Sequence, residues 1–161
     1  MAGMFIGEYT FKVDSKGRMS IPSLFRQELC DGDPNRPNAD RPRMIIVYGL
    51  DNQKQLIVYT QAAFEALAAD IAAKPRGDKN RLLLQKYVLG KSHPMEIDPD
   101  GRMVLPAFLR EKIAIEKEAY FSGNGETFEI WKPETHAAFE ETLSHKVIEE
   151  HGEEFDPFSL L

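Results

Sequence analysis

The residues best suited to bind an anion are two arginines that each follow a glycine. Arg18 comes directly after Gly17, and Arg102 occupies the same place in a second copy 84 residues further on. In both copies an aspartate stands four residues before the arginine, which gives the pattern D-x-x-x-R. That aspartate could neutralise the arginine in an internal ion pair, or the turn could present the guanidinium outward to a polyanion. The spacing is compatible with both arrangements, so the neighbouring residues must decide between them.

The aspartate and the glycine of each copy are suited to a tight turn. An aspartate at the first position of a turn accepts a hydrogen bond from a backbone N–H two residues further on, and glycine adopts positive φ without steric strain. The sequence therefore predicts two hairpin-like turns in which four residues have a structural role. These are Asp14 and Gly17 in the first copy and Asp98 and Gly101 in the second.

The two copies belong to an internal repeat. Phe11–Leu29 and Met95–Ile113 align over 19 positions, of which six are identical. Average residue usage would produce about one identity by chance. Such self-similarity is the strongest organisational signal in this chain. It indicates that the same turn, strand and helix are used twice.

The copies differ in the charge beside the arginine. In the first, Lys16 lies two residues before Arg18, and two like charges on one loop repel each other unless an anion binds them. This favours a cationic tip that points outward. In the second, Asp100 takes the place of the lysine, so Arg102 stands between acids. We therefore expect the second loop to be braced internally or to bind its ligand more weakly.

Strands and helices surround each turn in the same order in both halves. Alternating apolar residues predict a short strand on either side of the turn, and Pro22 and Pro106 suit the first turn of the helix that follows. A hairpin and a further helix complete each half. Thr60 and Asp78 are suited to cap the helices after the first hairpin, and Pro133 begins the last helix.

This order predicts an α+β fold. Each half alone is small for a stable core, so we expect two tandem β-rich halves that bury their strands against each other about a pseudo-two-fold axis, with helices at the periphery. We divide the chain into a first β-rich domain at 8–55, connecting helices at 56–91, a second β-rich domain at 92–135, and a C-terminal helix and tail at 136–161. Paired loops on such a core suit an extended ligand better than a small substrate.

Composition restricts the class of protein. The chain has 161 residues, of which 42% are hydrophobic and 29% charged, and its formal net charge of −6 provides no overall basic field. A local basic patch can still bind a polyanion. The single cysteine, Cys30, excludes an intramolecular disulfide. Neither a signal peptide nor an apolar run of about 20 residues is visible, so we expect a cytoplasmic protein with no membrane partner.

Two polar segments allow more than one interpretation. The loop Asp31–Arg43 carries Arg36, Arg41 and Arg43, and it is either a solvated surface loop or an additional arm that contacts phosphates. The tail after Gly152 is acidic but contains four apolar residues. It is either a frayed end or a docking segment for a neighbouring subunit.

No constellation of catalytic or metal-binding residues is visible. The chain lacks the zinc pattern H-E-x-x-H, the phosphate loop G-x-x-x-x-G-K-[ST] and the nucleophile elbow G-x-S-x-G. Only His145 and Glu149, at i and i+4, could share a metal, and a solvated helix face accounts for them more simply. We therefore predict that the protein is not an enzyme and has no cofactor, no metal and no small-molecule substrate.

The duplicated motif resembles that of the MraZ family, bacterial regulators built from two SpoVT-AbrB-type domains in one chain. The resemblance rests on the two D-x-x-x-R turns, Ile21-Pro22, Phe25-Arg26, the second copy at 98–110, the opening Met4-Phe5-Ile6-Gly7 and the stretch Arg81-Leu82-Leu83-Leu84. It covers nearly the whole chain.

The resemblance implies a DNA-binding transcriptional repressor of the division and cell wall gene cluster, including its own promoter, where the family reads short direct repeats. It also implies SpoVT-AbrB-like halves that form a double-barrel-like core, a ring-shaped homo-oligomer and association with the nucleoid. Carried over by position, the DNA-contacting arginine of the first motif is Arg18, with Lys16 beside it. Arg102 is its equivalent in the second motif.

Our leading hypothesis is sequence-specific binding of double-stranded DNA. Arg18 would contact a base edge, most suitably guanine O6 and N7, while Lys16 and Arg26 would contact phosphates and set the register. The alternative is a protein-interaction module in which the repeated motif is only structural and the apolar tail recruits a partner. A third hypothesis, a small metal-dependent enzyme, rests on His145 and Glu149 alone.

Overall fold

The computed structural model describes residues 3–34 and 40–161, which form eight strands and five α-helices. The strands are β1 (Glu8–Lys12), β2 (Arg18–Ser20), β3 (Arg43–Val47), β4 (Gln55–Thr60), β5 (Ser92–Glu96), β6 (Arg102–Val104), β7 (Glu118–Gly123) and β8 (Thr127–Trp131). The helices are α1 (Ser23–Asp31), α2 (Gln61–Ala72), α3 (Lys79–Tyr87), α4 (Ala107–Lys112) and α5 (Pro133–His151). Short 3-10 turns lie at Leu89–Lys91 and Pro157–Leu160. The predicted mixture of helices and strands is confirmed.

Strands from both halves of the repeat are interleaved in one antiparallel sheet. Its six strands follow the order β1–β7–β8–β4–β3–β5, and β2 pairs separately with β6. Strands β1–β4 belong to the first half and β5–β8 to the second, and strands of different halves are neighbours at three places in the sheet. If each strand is exchanged for its counterpart in the other half, the order reads the same in reverse. The two halves therefore build one core together.

The turns after β1 and β5 do not connect paired strands. β1 pairs with β7, from Glu8 opposite Ser122 to Lys12 opposite Glu118, whereas β2 pairs with β6. The predicted turns are present, but the strands on their two sides lie in different sheets. The physical reason is that a single half is too small to bury its own apolar residues, and pairing with the other half covers them.

The core beneath the large sheet is rich in aromatic rings. Phe25 of α1 packs against Phe5 and Phe128 with ring centroids 5.3 and 4.8 Å apart. Phe121 and Leu109, the latter from α4, are also completely buried. Both repeat helices thus anchor the motif turns to this core, because each begins only a few residues after its turn.

Local helix signals are confirmed where they depend on capping. Thr60 Oγ1 accepts a hydrogen bond from the N–H of Ala63 at 3.0 Å, and Asp78 Oδ2 accepts one from the N–H of Arg81 at 3.1 Å. The last helix, α5, begins at Pro133 as predicted. In the part of the chain that the structure describes, no residue of α5 is buried. The first turns of α5 contact the sheet, where Phe139 packs on Trp131 and His136 stacks on Tyr120. Leu143 and Ile148, further along the helix, are about half exposed.

Candidate nucleic-acid interface

The two motif arginines lie on one short ribbon, formed by β2 and β6. Met19 stands opposite Met103 at its centre, and both methionines are buried. Because side chains alternate between the faces of a strand, the residues on either side of each methionine point away from the core. This outer face consists of Arg18 opposite Val104 and Ser20 opposite Arg102. We call these four residues the ribbon face.

Each motif turn is held by the strand that follows the other turn. Ile21 donates its N–H to the carbonyl oxygen of Gly101 at 3.0 Å, and Leu105 donates its N–H to that of Gly17 at 2.9 Å. The ribbon therefore continues at both ends into the two turns. Gly17 and Gly101 have φ of +84° and +78°, which is the left-handed conformation that the sequence predicted glycine to supply.

The aspartates organise the turns through their side chains, as predicted. In the first turn, Asp14 Oδ1 accepts the N–H groups of Lys16 and Arg18, each at 2.9 Å. In the second turn, Asp98 Oδ1 accepts the N–H groups of the two equivalent residues at the same distances. Both loops are thereby fixed by hydrogen bonds within five residues, and the side chains at the tip need no further support.

The cation of the first turn is braced but still accessible. Arg18 Nε lies 3.2 Å from Asp14 Oδ2, so the internal ion pair considered from the sequence is present. The arginine side chain nevertheless keeps 38% of its surface exposed. Lys16 is exposed beside it. Such an exposed ion pair contributes little to stability and leaves the outer guanidinium nitrogens available to a ligand.

The cation of the second turn is more exposed than the first. Within the described residues, Arg102 forms no ion pair with Asp98, although the backbone of the two turns is held in the same way. The ion pair thus forms in the first loop, whereas the sequence favoured an internal brace in the second. Arg102 lies on the ribbon face with Asp100 exposed in the same turn.

Two further arginines support the turns rather than the ribbon face. Arg110 donates its Nε–H to the carbonyl oxygen of Leu105 at 3.0 Å and lies directly against Gly17. In the same way Arg26 lies against Gly101, so that a Cβ there would stand 3.0 Å from the guanidinium carbon and still closer to one of its nitrogens. Arg26, which the sequence suggested as a phosphate contact, is placed where it packs on the opposite turn.

We expect the Asp14 carboxyl to titrate below its ordinary pKa. The backbone N–H of Arg18 makes the largest contribution; the N–H of Lys16 and the Arg18 guanidinium also favour the ionised form, while desolvation opposes them. Because the pKa of Asp14 is lower in the folded chain than in the unfolded chain, the ionised carboxylate stabilises the fold at pH values above about 3.9, the ordinary pKa of an aspartate. This stabilisation is lost as the pH falls through the lower pKa of the folded chain. An NMR titration of the side-chain carboxyl checks this, and a midpoint at or above the ordinary value would contradict it.

The proline- and arginine-rich loop contains an internal brace. Arg43 donates to the buried carboxylate of Asp33 through Nε at 2.9 Å and through Nη2 at 2.5 Å, and its backbone N–H donates to the same side chain at 3.2 Å. This fork, together with the buried carboxylate, raises the pKa of the Arg43 guanidinium. The Arg43 guanidinium is therefore engaged by Asp33 within its own loop. Arg36 lies outside the described residues.

Replacing Arg43 with methionine should lower the thermal stability of the protein. The buried Asp33 carboxylate would lose two charge-assisted donors and keep the N–H of residue 43. We expect the melting temperature to fall by about 5 °C, the shift that roughly 2 kcal/mol produces in a chain of this size. Scanning calorimetry checks this, with Arg76→Met, at an exposed position after α2, as the control. Equal melting temperatures for the two variants would rule out the brace.

Other candidate residues remain separate from this surface. His145 and Glu149 lie on the exposed part of α5, and among the described residues no three His, Cys, Asp or Glu side chains are grouped so as to hold a metal. Burial near the end of α1 raises the pKa of the Cys30 thiol, which lowers its reactivity. Within residues 3–34 and 40–161 no helix is both long enough and apolar enough to span a membrane.

Three residues of the ribbon face and its supporting turns were not singled out from the sequence. Ser20 and Val104 occupy equivalent positions of the repeat, and the structure places both on the ribbon face. Arg110 was noticed only as an identity between the copies, at the position of Arg26. That identity was the signal that could have revealed the role of Arg110, because an arginine present in both copies outside the turn indicates a structural role common to both copies.

Comparison with known proteins identifies close relatives over the whole chain. A family model named MraZ matches residues 4–86 and 88–156. A protein named Transcriptional regulator MraZ from a Ruegeria species (strain TM1040) is 47% identical over 161 residues, which is 100% of this chain and 96% of the relative. The protein of the same name from Ruegeria pomeroyi is 46% identical over equal spans. That from Cereibacter sphaeroides (strain ATCC 17025) is 39% identical, covering 86% of this chain and 85% of its own.

Proposed function

Because the chain belongs to the MraZ family, we propose that it is a sequence-specific DNA-binding transcriptional repressor rather than an enzyme. It acts on the division and cell wall gene cluster, including the promoter of its own gene, and reads short direct repeats there. This activity places it in the cytoplasm in association with the nucleoid. The names of its relatives support a role in transcription regulation.

The ribbon face is the observation that carries this proposal. It joins Arg18 and Arg102 on one outward surface of two paired strands, backed by the buried methionine pair. The major groove of DNA admits a two-stranded ribbon, and arginine can form two hydrogen bonds to guanine O6 and N7. Each such contact contributes about 1–3 kcal/mol of discrimination against other bases. Arg18 is proposed as the principal base contact and Arg102 as a second one.

Phosphate contact is proposed for the cationic turn. Lys16 is exposed at its tip beside Arg18, so it can reach a backbone phosphate while the ribbon enters the groove. Arg26 is proposed to act indirectly, by holding the Gly101 turn on which it packs. The net charge of −6 does not oppose this model, because binding depends on the local charge at the docking surface.

A ring-shaped homo-oligomer is proposed as the active form. Apolar side chains on two helices are unusually exposed: Leu82 of α3 at 62%, and Phe139 and Leu143 of α5 at 49% and 47%. Apolar residues at helical spacing normally pack against another element, and a neighbouring subunit would cover them. Repeating the ribbon face around an assembly links several weak contacts into tight binding.

The two halves are proposed to be SpoVT-AbrB-type units related by a pseudo-two-fold axis. The bounds predicted for them, 8–55 and 92–135, leave most of β4 (Gln55–Thr60) in the connecting segment 56–91, although β4 is a central strand of the large sheet. The first unit is therefore proposed to extend to the end of β4, with the helices that follow it and 136–161 as peripheral additions. The sheet order reads the same in reverse when each strand is exchanged for its counterpart, which supports this relation. Met19 also pairs with Met103, which is its counterpart in the other half. A double-barrel-like core would follow from it.

Salt dependence tests the proposed function. Binding to a duplex from upstream of the protein's own gene should weaken steeply as salt rises, since phosphate contacts release counterions. Lys16→Ala should weaken binding to this duplex and to a scrambled duplex alike, and should reduce the slope of log K against log salt by about 0.9 for each phosphate contact removed. Fluorescence anisotropy measures both, with Lys79→Ala, at an exposed position of α3, as the control.

A second candidate function, a protein-interaction module, is favoured by the tail. Phe158 and Leu160 expose 78% and 69% of their surfaces, as a docking segment would require. In that case the D-x-x-x-R motif would be structural only. Binding of the upstream duplex that is absent, or that is insensitive to salt between about 50 and 200 mM, would reject the DNA-binding proposal in favour of this one.

A further inference from the structure

The ribbon face would be two-fold symmetric if both halves carried the same residues, and it is not. Exchange of the halves maps Met19 onto Met103 and Arg18 onto Arg102, so the arginines keep the symmetry. Ser20, however, maps onto Val104. Both side chains point outward, and Val104 exposes 53% of its surface. One half of the ribbon face therefore offers a hydroxyl where the other offers an apolar group.

The two ends of the ribbon also differ in charge. At the end formed by Gly17, the turn carries Asp14, Lys16 and Arg18, with a formal sum of +1. At the end formed by Gly101, the turn carries Asp98, Asp100 and Arg102, with a formal sum of −1. Asp14 and Asp98 each direct an oxygen to two N–H groups of their own loop, so the tip residues, Lys16 and Asp100, dominate what each end presents to a ligand.

The ends are far enough apart to act separately. Gly17 is bonded to Leu105 and Gly101 to Ile21, so four residue steps separate the two turns along the ribbon. At about 3.3 Å per residue this is roughly 13 Å, which corresponds to about four base pairs. The Debye length at physiological salt is only about 8 Å. Each turn therefore interacts mainly with the phosphates nearest to it.

From this asymmetry we infer that four residues set the orientation in which each chain reads a direct repeat: Lys16 and Asp100 at the two ends of the ribbon, and Ser20 and Val104 as specificity-determining residues between them. The Lys16 end faces a phosphate and the Asp100 end is kept away from the backbone. Ser20 exchanges a hydrogen bond with a base edge, and Val104 contacts an apolar group such as the thymine methyl. This inference rests on the proposed DNA-binding function, in which direct repeats require one orientation of each chain, and it adds the residues that set that orientation.

Affinity cleavage tests the orientation. Cys30 is first replaced with serine, so that a new cysteine is the only attachment point for an iron chelate. One reagent carries the chelate on Ser15→Cys at the tip of the first turn, and the other carries it on Pro99→Cys at the equivalent tip of the second. Both positions are exposed. The probe is a duplex from upstream of the protein's own gene. We expect each reagent to cut predominantly on one side of every protected site, with at least a tenfold excess, and the two reagents to cut on opposite sides. Equal cutting on both sides by each reagent would overturn the inference.

An exchanged variant tests which residues set the orientation. It combines Lys16→Asp with Asp100→Lys and Ser20→Val with Val104→Ser, so that composition and net charge are unchanged. We expect the two cleavage patterns to change sides, and unchanged patterns in a folded variant would overturn the assignment of these residues. The single variant Asp100→Lys provides a milder test. It should bind more tightly and reduce the excess of cutting on one side, while the unchanged Ser20 and Val104 keep a smaller preference. An excess equal to that of the wild type would count against the charge at this end.

The outcome for the proposed function is read independently. Footprinting with the unmodified protein shows whether the upstream duplex contains a protected site at all. A protected site with two-sided cleavage leaves DNA binding in place and overturns the inference, together with the reading of direct repeats in one orientation. Absence of any protected site would overturn the proposed function and the inference that depends on it.

Discussion

Replacing Arg18 with alanine is expected to abolish sequence-specific DNA binding while the chain remains folded and assembled. Arg18 lies on the outward face of the ribbon, and its ion pair with Asp14 is exposed, so its removal does not disturb the core. Loss of a two-hydrogen-bond contact to guanine costs about 1–3 kcal/mol, or roughly 5- to 150-fold in affinity. In an assembly every subunit loses this contact, so the losses compound.

Footprinting on DNA upstream of the protein's own gene measures this effect, with wild type and Arg18→Ala side by side. Circular dichroism and size-exclusion chromatography establish that the variant is folded and assembled. Arg76→Ala, at an exposed position away from the ribbon, is the matched control for charge. Arg102→Ala should weaken binding less, because its turn carries the acidic tip. Protection by Arg18→Ala equal to that of wild type would remove Arg18 from the base-reading role.

Replacing Gly17 with alanine is expected to destabilise the protein by about 3 kcal/mol and to impair DNA binding at the same time. Its φ of +84° costs a residue with a side chain about 1–2 kcal/mol. The new Cβ would also stand 2.6 Å from Arg110 Nε and 2.7 Å from the carbonyl oxygen of Leu105. Overpacking of this kind costs about 1–3 kcal/mol more and must displace the strand that holds the turn.

Gly125→Ala separates the two contributions. Gly125 has a similar φ of +86°, but a Cβ there meets no atom within 4 Å. We therefore expect Gly125→Ala to lose only about 1–2 kcal/mol, the part due to backbone conformation. Urea unfolding of the two variants measures the difference. Equal losses of the free energy of unfolding would show that the contact of the first turn with Arg110 and Leu105 is unimportant.

Features that depend on residues close together in the chain could be predicted from the sequence. The Asp14 and Asp98 turns, the caps at Thr60 and Asp78 and the beginning of α5 at Pro133 all appear where the residue types placed them. In each case the partner lies within about four residues, so spacing and chemistry define the geometry with little influence from the rest of the fold.

Pairing between the halves could not be predicted in the same way. The sequence indicated strands on both sides of each turn, but it did not reveal that β1 pairs with β7 or β2 with β6. These partners are 82 to 114 residues apart. Many pairings satisfy the same alternation of apolar residues, and the choice depends on which one buries all of them together.

The candidate site likewise contains features that depend on neighbouring residues and features that depend on distant strands. Residue types and the repeat were enough to select Arg18, Lys16 and Arg102 and to associate them with glycine turns. Tertiary structure alone placed Ser20 and Val104 beside them and assigned Arg26 and Arg110 to the opposite turns. Short-range hydrogen bonds carry the first kind of information. The second arises only when strands distant in the chain meet, because a shared core decides which faces are left outside.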